Sequence, residues 1–394
     1  MRQRQSTVSW RNVTRSAVLW LLEAMQWSKD QAAVAPELLI QLLVRAAAEM
    51  RSLSAIVAEA GAAPCYETVR ISLLALLPEE PMDLLPATTR ALQARLPKAL
   101  ARRPRSAAID LYLRPYYGDK KTRGIYRGQP KASTKNFFAY ATLLIIRRGQ
   151  TYTVGLTHVV NGEEQTALID RLLQQAARAG IRIKRLLLDR GFYAATTMLW
   201  LQQRAISFIM PMIRRGKAAR RKADCTGTEC FFVHGRRGWD QYTWIARPRR
   251  RGHKQAAVTV TIDVCMTPRS QSVSRTKPKK KTPLVYACHG VHANPKQVMT
   301  WYRRRFRIET SYRQLGEGLA MTCSKNPVYR LLLVTIALVL RNLWVWIHGR
   351  HLATTTSEGR QRNLERLPLR RLTSWLIHAL NKLLGFRPRV ANSD

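Results

Sequence analysis

With 67 Lys+Arg against 24 Asp+Glu in 394 residues, a formal net charge of +43, the chain is far more basic than solubility requires and implies a polyanionic partner. Because 46% of its residues are hydrophobic, with ten Trp and thirteen Tyr, it can bury sizeable cores, which excludes a disordered basic tail. Length sets a prior of two or three domains, and basic residues recur from 102–105 to 360–389, a long footprint on nucleic acid.

Residues 1–104 read as helices, at Thr14–Trp27, Glu37–Met50, Leu53–Glu59, Glu67–Leu77 and Thr88–Leu100, punctuated by Pro, Gly and Ser. The apolar run Ala17–Leu22 is short and followed by Glu23, so no signal peptide is read. Within this region a short helix, a turn at Gly61 and a second helix from about Tyr66, exposing Glu67, Arg70 and Ser72, have helix-turn-helix spacing. Two readings stand: DNA contact through Tyr66–Leu77, with Tyr66 and Arg70 as candidates, or plain helix packing.

From Ala107 the period changes to that of strands. AAIDLYLR alternates and is followed by a basic excursion, then by FFAYATLLIIRRG and TYTVGLTHVV, with a turn expected at Arg148–Gln150. A helix over Glu163–Ala179 ends at Gly180, IKRLLLD reads as a short buried strand, Ala194–Arg204 as a helix, and SFIMPMI as a strand. This order predicts an α/β fold, a mixed sheet with helices on both faces, spanning 105–350. Residues 213–294 read as a β-rich insertion, with strand-like pieces at Glu229–His234, Gln241–Ala246, Ala257–Met266 and Leu284–Cys288 and a basic loop at Pro268–Thr282.

Trp301–Gly316, WYRRRFRIETSYRQLG, reads as one arginine-dense helix. Wound at about 100° per residue, it gathers Trp301, Ile308, Tyr312, Leu315 and Leu319 on one side and Tyr302, Arg305, Glu309 and Arg313 in a stripe at the border. An aromatic ring, guanidiniums and one carboxylate aimed at one neighbour suit DNA, with phosphates for the arginines and a metal ion beside the acid. The apolar run Leu331–Leu340, continuing to Ile347, is read as a buried helix rather than a membrane span, since Arg341 interrupts it. Residues 351–394 read as a basic tail with an amphipathic helix at Leu372–Leu384. Six irregularly spaced cysteines fit a reducing compartment, and Cys225, Cys230, His234, Cys288, His289 and His292 match no standard zinc spacing.

Two acids sit where burial is expected: Asp110, among Ile109, Leu111 and Leu113, and Asp189, directly after Leu186–Leu188. A buried carboxylate is costly unless paired or metal-bound. Asp110 has a structural alternative in Arg114 or a helix end, and Asp189 in capping the helix near Ala194. With Glu309 they also form the inventory of a two-magnesium phosphoryl-transfer site.

DRGFY at Asp189–Tyr193, and the series Tyr302, Arg305, Glu309, resemble the second and third motifs of DDE transposases from prokaryotic insertion sequences, in the broad family numbered four. IDLYLRPYYG supplies Asp110 as the first acid. The resemblance covers residues 105–345 or so and implies a ribonuclease H-like core with a β-rich insertion. It implies Asp110, Asp189 and Glu309 as catalytic residues and ligands of two Mg²⁺ ions, Mn²⁺ substituting, with Tyr302, Arg305, Arg313 and Arg190 on DNA. The implied activity is cleavage at mobile-element ends and transfer of the 3′ hydroxyls to target DNA. Its implied partners are double-stranded DNA, as terminal inverted repeats and target, and a second copy in the DNA complex. A cytoplasmic, nucleoid-associated protein without a membrane is expected. One position departs from the family: Gly316 stands where a Lys usually follows the Glu by seven residues.

Overall fold

The computed structural model describes residues 8–147, 150–234, 237–247, 257–267, 283–356, 359–362 and 366–386. The turn expected at Arg148–Gln150 falls largely outside them, and the loop Pro268–Thr282 entirely so. The chain forms two compact units, one of residues 1–100, 111–162 and 309–394, the other of 101–110 and 163–308.

The first unit begins with helices α1 (Trp10–Met25), α2 (Pro36–Glu49), α3 (Leu53–Glu59), α4 (Tyr66–Ala75) and α5 (Leu85–Gln93). Their starts follow from capping: Ser9 and Ser52 accept from backbone amides three residues on, and Pro36 occupies the first turn of α2. The turn between α3 and α4 is tied to the chain's far end, with the amides of Gly61 and Ala62 donating to the carbonyls of Gly385 and Leu384. Ser72, expected on an exposed face of α4, is instead 2% exposed. Its hydroxyl accepts from the Val34 amide at 3.2 Å, satisfying a donor that burial would strand.

Strands β2 (Tyr126–Lys131), β3 (Thr134–Arg147) and β4 (Gln150–Val159) form an antiparallel meander in this unit. β2 lies in the basic excursion, where exposed polar residues hide its periodicity. Helix α11 (Pro327–Ile347) is long and apolar enough to cross a membrane, yet its most apolar window is 94% buried among α1, α2, α5 and β4. Its polar residues are answered within the unit. Arg341 donates to the carbonyl and hydroxyl of Thr151 and to Gln314, and Asn342 takes both backbone groups of Thr153. The expected tail contains the two-stranded β10 (Ala353–Thr356) and β11 (Gly359–Arg362) and the helix α12 (Leu369–Leu383), which packs on α1 and α2.

The second unit holds a mixed sheet flanked by helices, in agreement with the expected fold class. The beginning of β1 (Arg105–Pro115) pairs in parallel with β5 (Ile183–Leu187), and β5 with β6 (Phe208–Pro211). The antiparallel strands β9 (Val285–His289), β8 (Val258–Met266) and β7 (Gly238–Ala246) extend it. Helices α6 (Gln165–Arg178) and α7 (Ala195–Gln203) fall near the expected positions. One expected strand is wrong: Glu229–His234 is the short helix α8 (Glu229–Val233), whose first carboxylate pairs with Arg214 and so favours a helical start.

Candidate active site

β5 is a buried parallel strand that stops because Asp189 caps the turn behind it. Its Oδ1 accepts from the Gly191 amide at 2.7 Å, and a Cβ on Gly191 would stand 2.9 Å from that oxygen. Glycine is what lets the carboxylate reach back to the chain. On the neighbouring strand, Ala107 and Ala108 are level with Leu186 and Leu187. The paired stretch ends at Ala108 and Leu187, and Asp110 and Asp189 each follow it by two residues, so the two acids leave the same end of neighbouring parallel strands. Both are partly buried.

The chain returns to these acids through α9 (Pro295–Arg303), started by a capping box between Asn294 and Gln297. The single helix expected over Trp301–Gly316 is in fact two, α9 and α10 (Phe306–Gly316), broken at Arg304 and Arg305. Amides of both arginines bond to carbonyls three residues back, a tightened turn. From that turn Arg305 sends Nη1 to within 3.0 Å of Asp110 Oδ2, both side chains largely buried. Asp110 thus has a structural partner in Arg305, which the sequence does not single out for it.

Tyr302 is 6% exposed. Its ring tilts against Tyr286 at 5.0 Å, and its hydroxyl donates to the Leu188 carbonyl at 3.3 Å. Burial pushes the phenol well above its ordinary range, with the Asp189 charge adding to the shift and Arg305 opposing it. Asp189, Arg190, Tyr302, Arg303 and Arg305 line a cavity of about 560 Å³, with Arg214 and Phe306 at its side. The sequence motifs do not single out Arg214 or Arg303, both of which line this cavity. Arg303 lies in the arginine run and was legible there, whereas Arg214 carried no signal. Gln165 was also missed: its amide donates to the Gly191 carbonyl at 2.6 Å and accepts from Thr197 at 3.1 Å, bracing the Asp189 turn against α6 and α7.

In the first unit, α10 carries Glu309, half-buried, and Arg313, exposed. This helix is held by Tyr312, whose hydroxyl shares a 2.8 Å hydrogen bond with Thr142 on β3 and whose ring lies 5.2 Å from Tyr112. Arg190 is exposed. Tyr66 is 40% exposed, and Arg70 beside it is paired with Glu67 at 2.9 Å. Of the cysteines and histidines considered for zinc, Cys225 and His234 both bond to the backbone of Ala219, Cys230 to that of Gly227, and Cys288 is buried in β9. Among the described residues no group of three or more His, Cys, Asp or Glu is positioned to hold a metal. The carboxylates of Asp110 and Asp189, the first already facing a cation, nevertheless fit a hard divalent ion such as Mg²⁺ or Mn²⁺ by the chemistry of their oxygens.

A family model described as "Transposase DDE domain" matches residues 119–343, more than half of the chain, a span that holds Asp189 and Glu309 and begins after Asp110. No curated protein matches. Among solved structures the chain is similar to a piggyBac transposase synaptic complex with hairpin DNA, at 11% identity and a TM-score of 0.48, over 99% of this chain and 77% of that one.

Proposed function

Because this chain belongs to the transposase DDE domain family, we propose that it is an enzyme that cleaves DNA at the ends of a mobile element and joins the freed 3′ hydroxyls to target DNA. The observation that supports the reading is that Asp110 and Asp189 each follow the paired stretch of β1 and β5 by two residues, with Asp189 lining an arginine-rich cavity. In this reading the two aspartates hold divalent metal, Mg²⁺ or Mn²⁺, and Glu309 is the third carboxylate on the strength of its motif alone. Metal bound there would supply Lewis-acid activation of the attacking hydroxyl and stabilisation of the leaving oxygen. Arg190 and Arg303 meet backbone phosphates at the cavity rim, and Tyr302 supports the strand end that presents Asp189. Arg305 lies between the acids and the incoming DNA, and Arg313 extends the basic surface along α10.

The same reading gives residues 1–104 the recognition of terminal inverted repeats, through Tyr66 and Arg70 on α4. It has two copies of the chain bring two element ends together, on DNA in the cytoplasm at the nucleoid. The remaining cationic surface supplies sequence-independent affinity.

A strand-transfer assay with pre-cut element ends and a target duplex tests it, run with Mg²⁺, with Mn²⁺ and with chelator. Joined products that vanish with chelator and in Asp189→Asn are expected. Cut but never joined DNA would make the protein a nuclease on the same fold. DNA retention without any cutting would make it a binding protein.

A further inference from the structure

Asp110 is held by a cation within the protein. Arg305 Nη1 stands 3.0 Å from its Oδ2, with the two side chains 10% and 14% exposed. A guanidinium and a hard divalent ion ask the same of that carboxylate, its lone pairs and its negative charge. Held together against one carboxylate in a partly buried site, the two cations repel at contact range. Arg305 therefore opposes any ion that takes Asp110 as a ligand.

The surroundings offer Arg305 another position. It lines the cavity together with Asp189, Arg190 and Arg303. Its backbone lies in the turn that divides α9 from α10, where the Arg305 and Ile308 amides make bonds of the three-residue type at 2.8 Å. A phosphate in the cavity accepts two guanidinium hydrogen bonds at once and carries no competing cation of its own.

We propose that Arg305 and the divalent ion compete for Asp110, and that a DNA phosphate entering the cavity draws Arg305 off, so that DNA and metal strengthen each other's binding. The proposal rests on the reading of Asp110 and Asp189 as metal ligands. Linkage makes the coupling reciprocal: whatever factor DNA adds to metal affinity, metal adds to DNA affinity. The chain then completes its cutting centre on DNA and holds it incomplete elsewhere.

The test uses the full chain with Mn²⁺ as the probe, free ion being read by electron paramagnetic resonance, with and without a DNA duplex. Asp189→Asn with the same duplex subtracts the ions held by DNA itself. In the wild type, DNA is expected to lower the Kd for Mn²⁺ about tenfold or more, the scale on which one charge at contact range moves an ionic equilibrium. Arg305→Gln is expected to reach that tighter Kd without DNA, and Arg305→Lys, which keeps the charge, to stay near the wild type. Should Arg305→Gln fail to fold, Arg305→Met, which keeps the length of the side chain without its charge, takes its place. A Kd that is the same with and without DNA, but is lost in Asp189→Asn, overturns the competition and leaves the metal site standing. Mn²⁺ binding indifferent to Asp189→Asn overturns both.

Discussion

The phenol of Tyr302 donates to the carbonyl of Leu188, one residue before Asp189, so the α9 helix holds the strand end that carries an acid of the candidate site. Tyr302→Phe keeps the ring against Tyr286 and removes only this bond. A loss of about 1 kcal/mol in stability is expected, read by denaturant melting. Tyr302→Ala empties a buried site and should lose about 3–5 kcal/mol. Because the ring is 6% exposed, Tyr302→Phe should leave DNA affinity nearly unchanged; a large loss of DNA affinity with intact stability would assign Tyr302 to the DNA surface instead.

Asp110 and Asp189 should respond differently to removal of charge. Asp110→Asn removes the negative charge that pairs with the Arg305 guanidinium at 3.0 Å, and a destabilisation of about 3 kcal/mol is expected. Asp189→Asn keeps an oxygen that can accept from the Gly191 amide, so about 1 kcal/mol or less is expected. Thermal melts of the two variants in chelator decide the matter. Equal and small effects would mean that the Asp110–Arg305 pair contributes nothing.

Stability should fall at alkaline pH through the buried phenols and thiols. Burial pushes Tyr286 and Cys265 up to about 12, and raises Tyr140, Tyr302, Tyr329 and Cys288 as well. A group with a raised folded pKa contributes stability that is whole below its unfolded value, about 9 for Cys and 10 for Tyr, and is lost as pH rises towards the folded value. The guanidiniums of Arg45, Arg185, Arg307, Arg330 and Arg341, lowered by burial and the last to about 10, run the other way, but only from the pH at which their folded forms begin to lose protons, above the onset for the thiols. The Tm should therefore drop from about pH 9 upward, with the phenolate absorbance of these tyrosines appearing together with unfolding. Full phenolate absorbance near pH 10 in a still-folded chain would contradict this.

Asn342 acts as a piece of strand. Its side-chain oxygen accepts from the Thr153 amide at 3.1 Å, and its nitrogen donates to the carbonyls of Thr153 and Leu92 at 2.7 and 3.2 Å. Asn342→Leu matches the volume and strands all three backbone groups, so about 3 kcal/mol or more should be lost. Chemical denaturation measures it, and hydrogen exchange at Thr153 should speed up in step. A loss under about 1 kcal/mol would mean that these groups find other partners.

The helices and strands with regular periodicity were legible because their burial follows one face: α2, α3, β3, β5 and α7 stand within a few residues of their expected bounds. The misreadings have identifiable causes. Arg304 and Arg305 look like good helix residues, and the turn there is bound up with a contact to Asp110, 195 residues away, which no window of sequence contains. Phe231, Phe232 and Val233 have the composition of a strand, while the pairing of Glu229 with Arg214 is what favours a helix. β2 has one face almost wholly exposed, so alternation gave no signal. At the candidate site, Asp189 was legible because a charge ends a buried run before Arg-Gly, and Asp110 because it breaks an apolar alternation. Gln165 was not, since a polar residue at a helix start ordinarily faces solvent.

Helix α11 carries a consequence for the order of synthesis. Its sequence passes for a membrane span in length and hydropathy, and the partners that cover it, α1, α2, α5 and β4, all precede it in the chain. When this stretch leaves the ribosome, those surfaces already exist, while the turn His348–Leu352 and α12, which also pack on it, are still to come. Capture by the half-built unit then competes directly with capture by the machinery that recognises greasy nascent segments. The chain's order favours the first, because each receiving helix has had the time of more than two hundred residues' translation to fold, on the order of ten seconds or more.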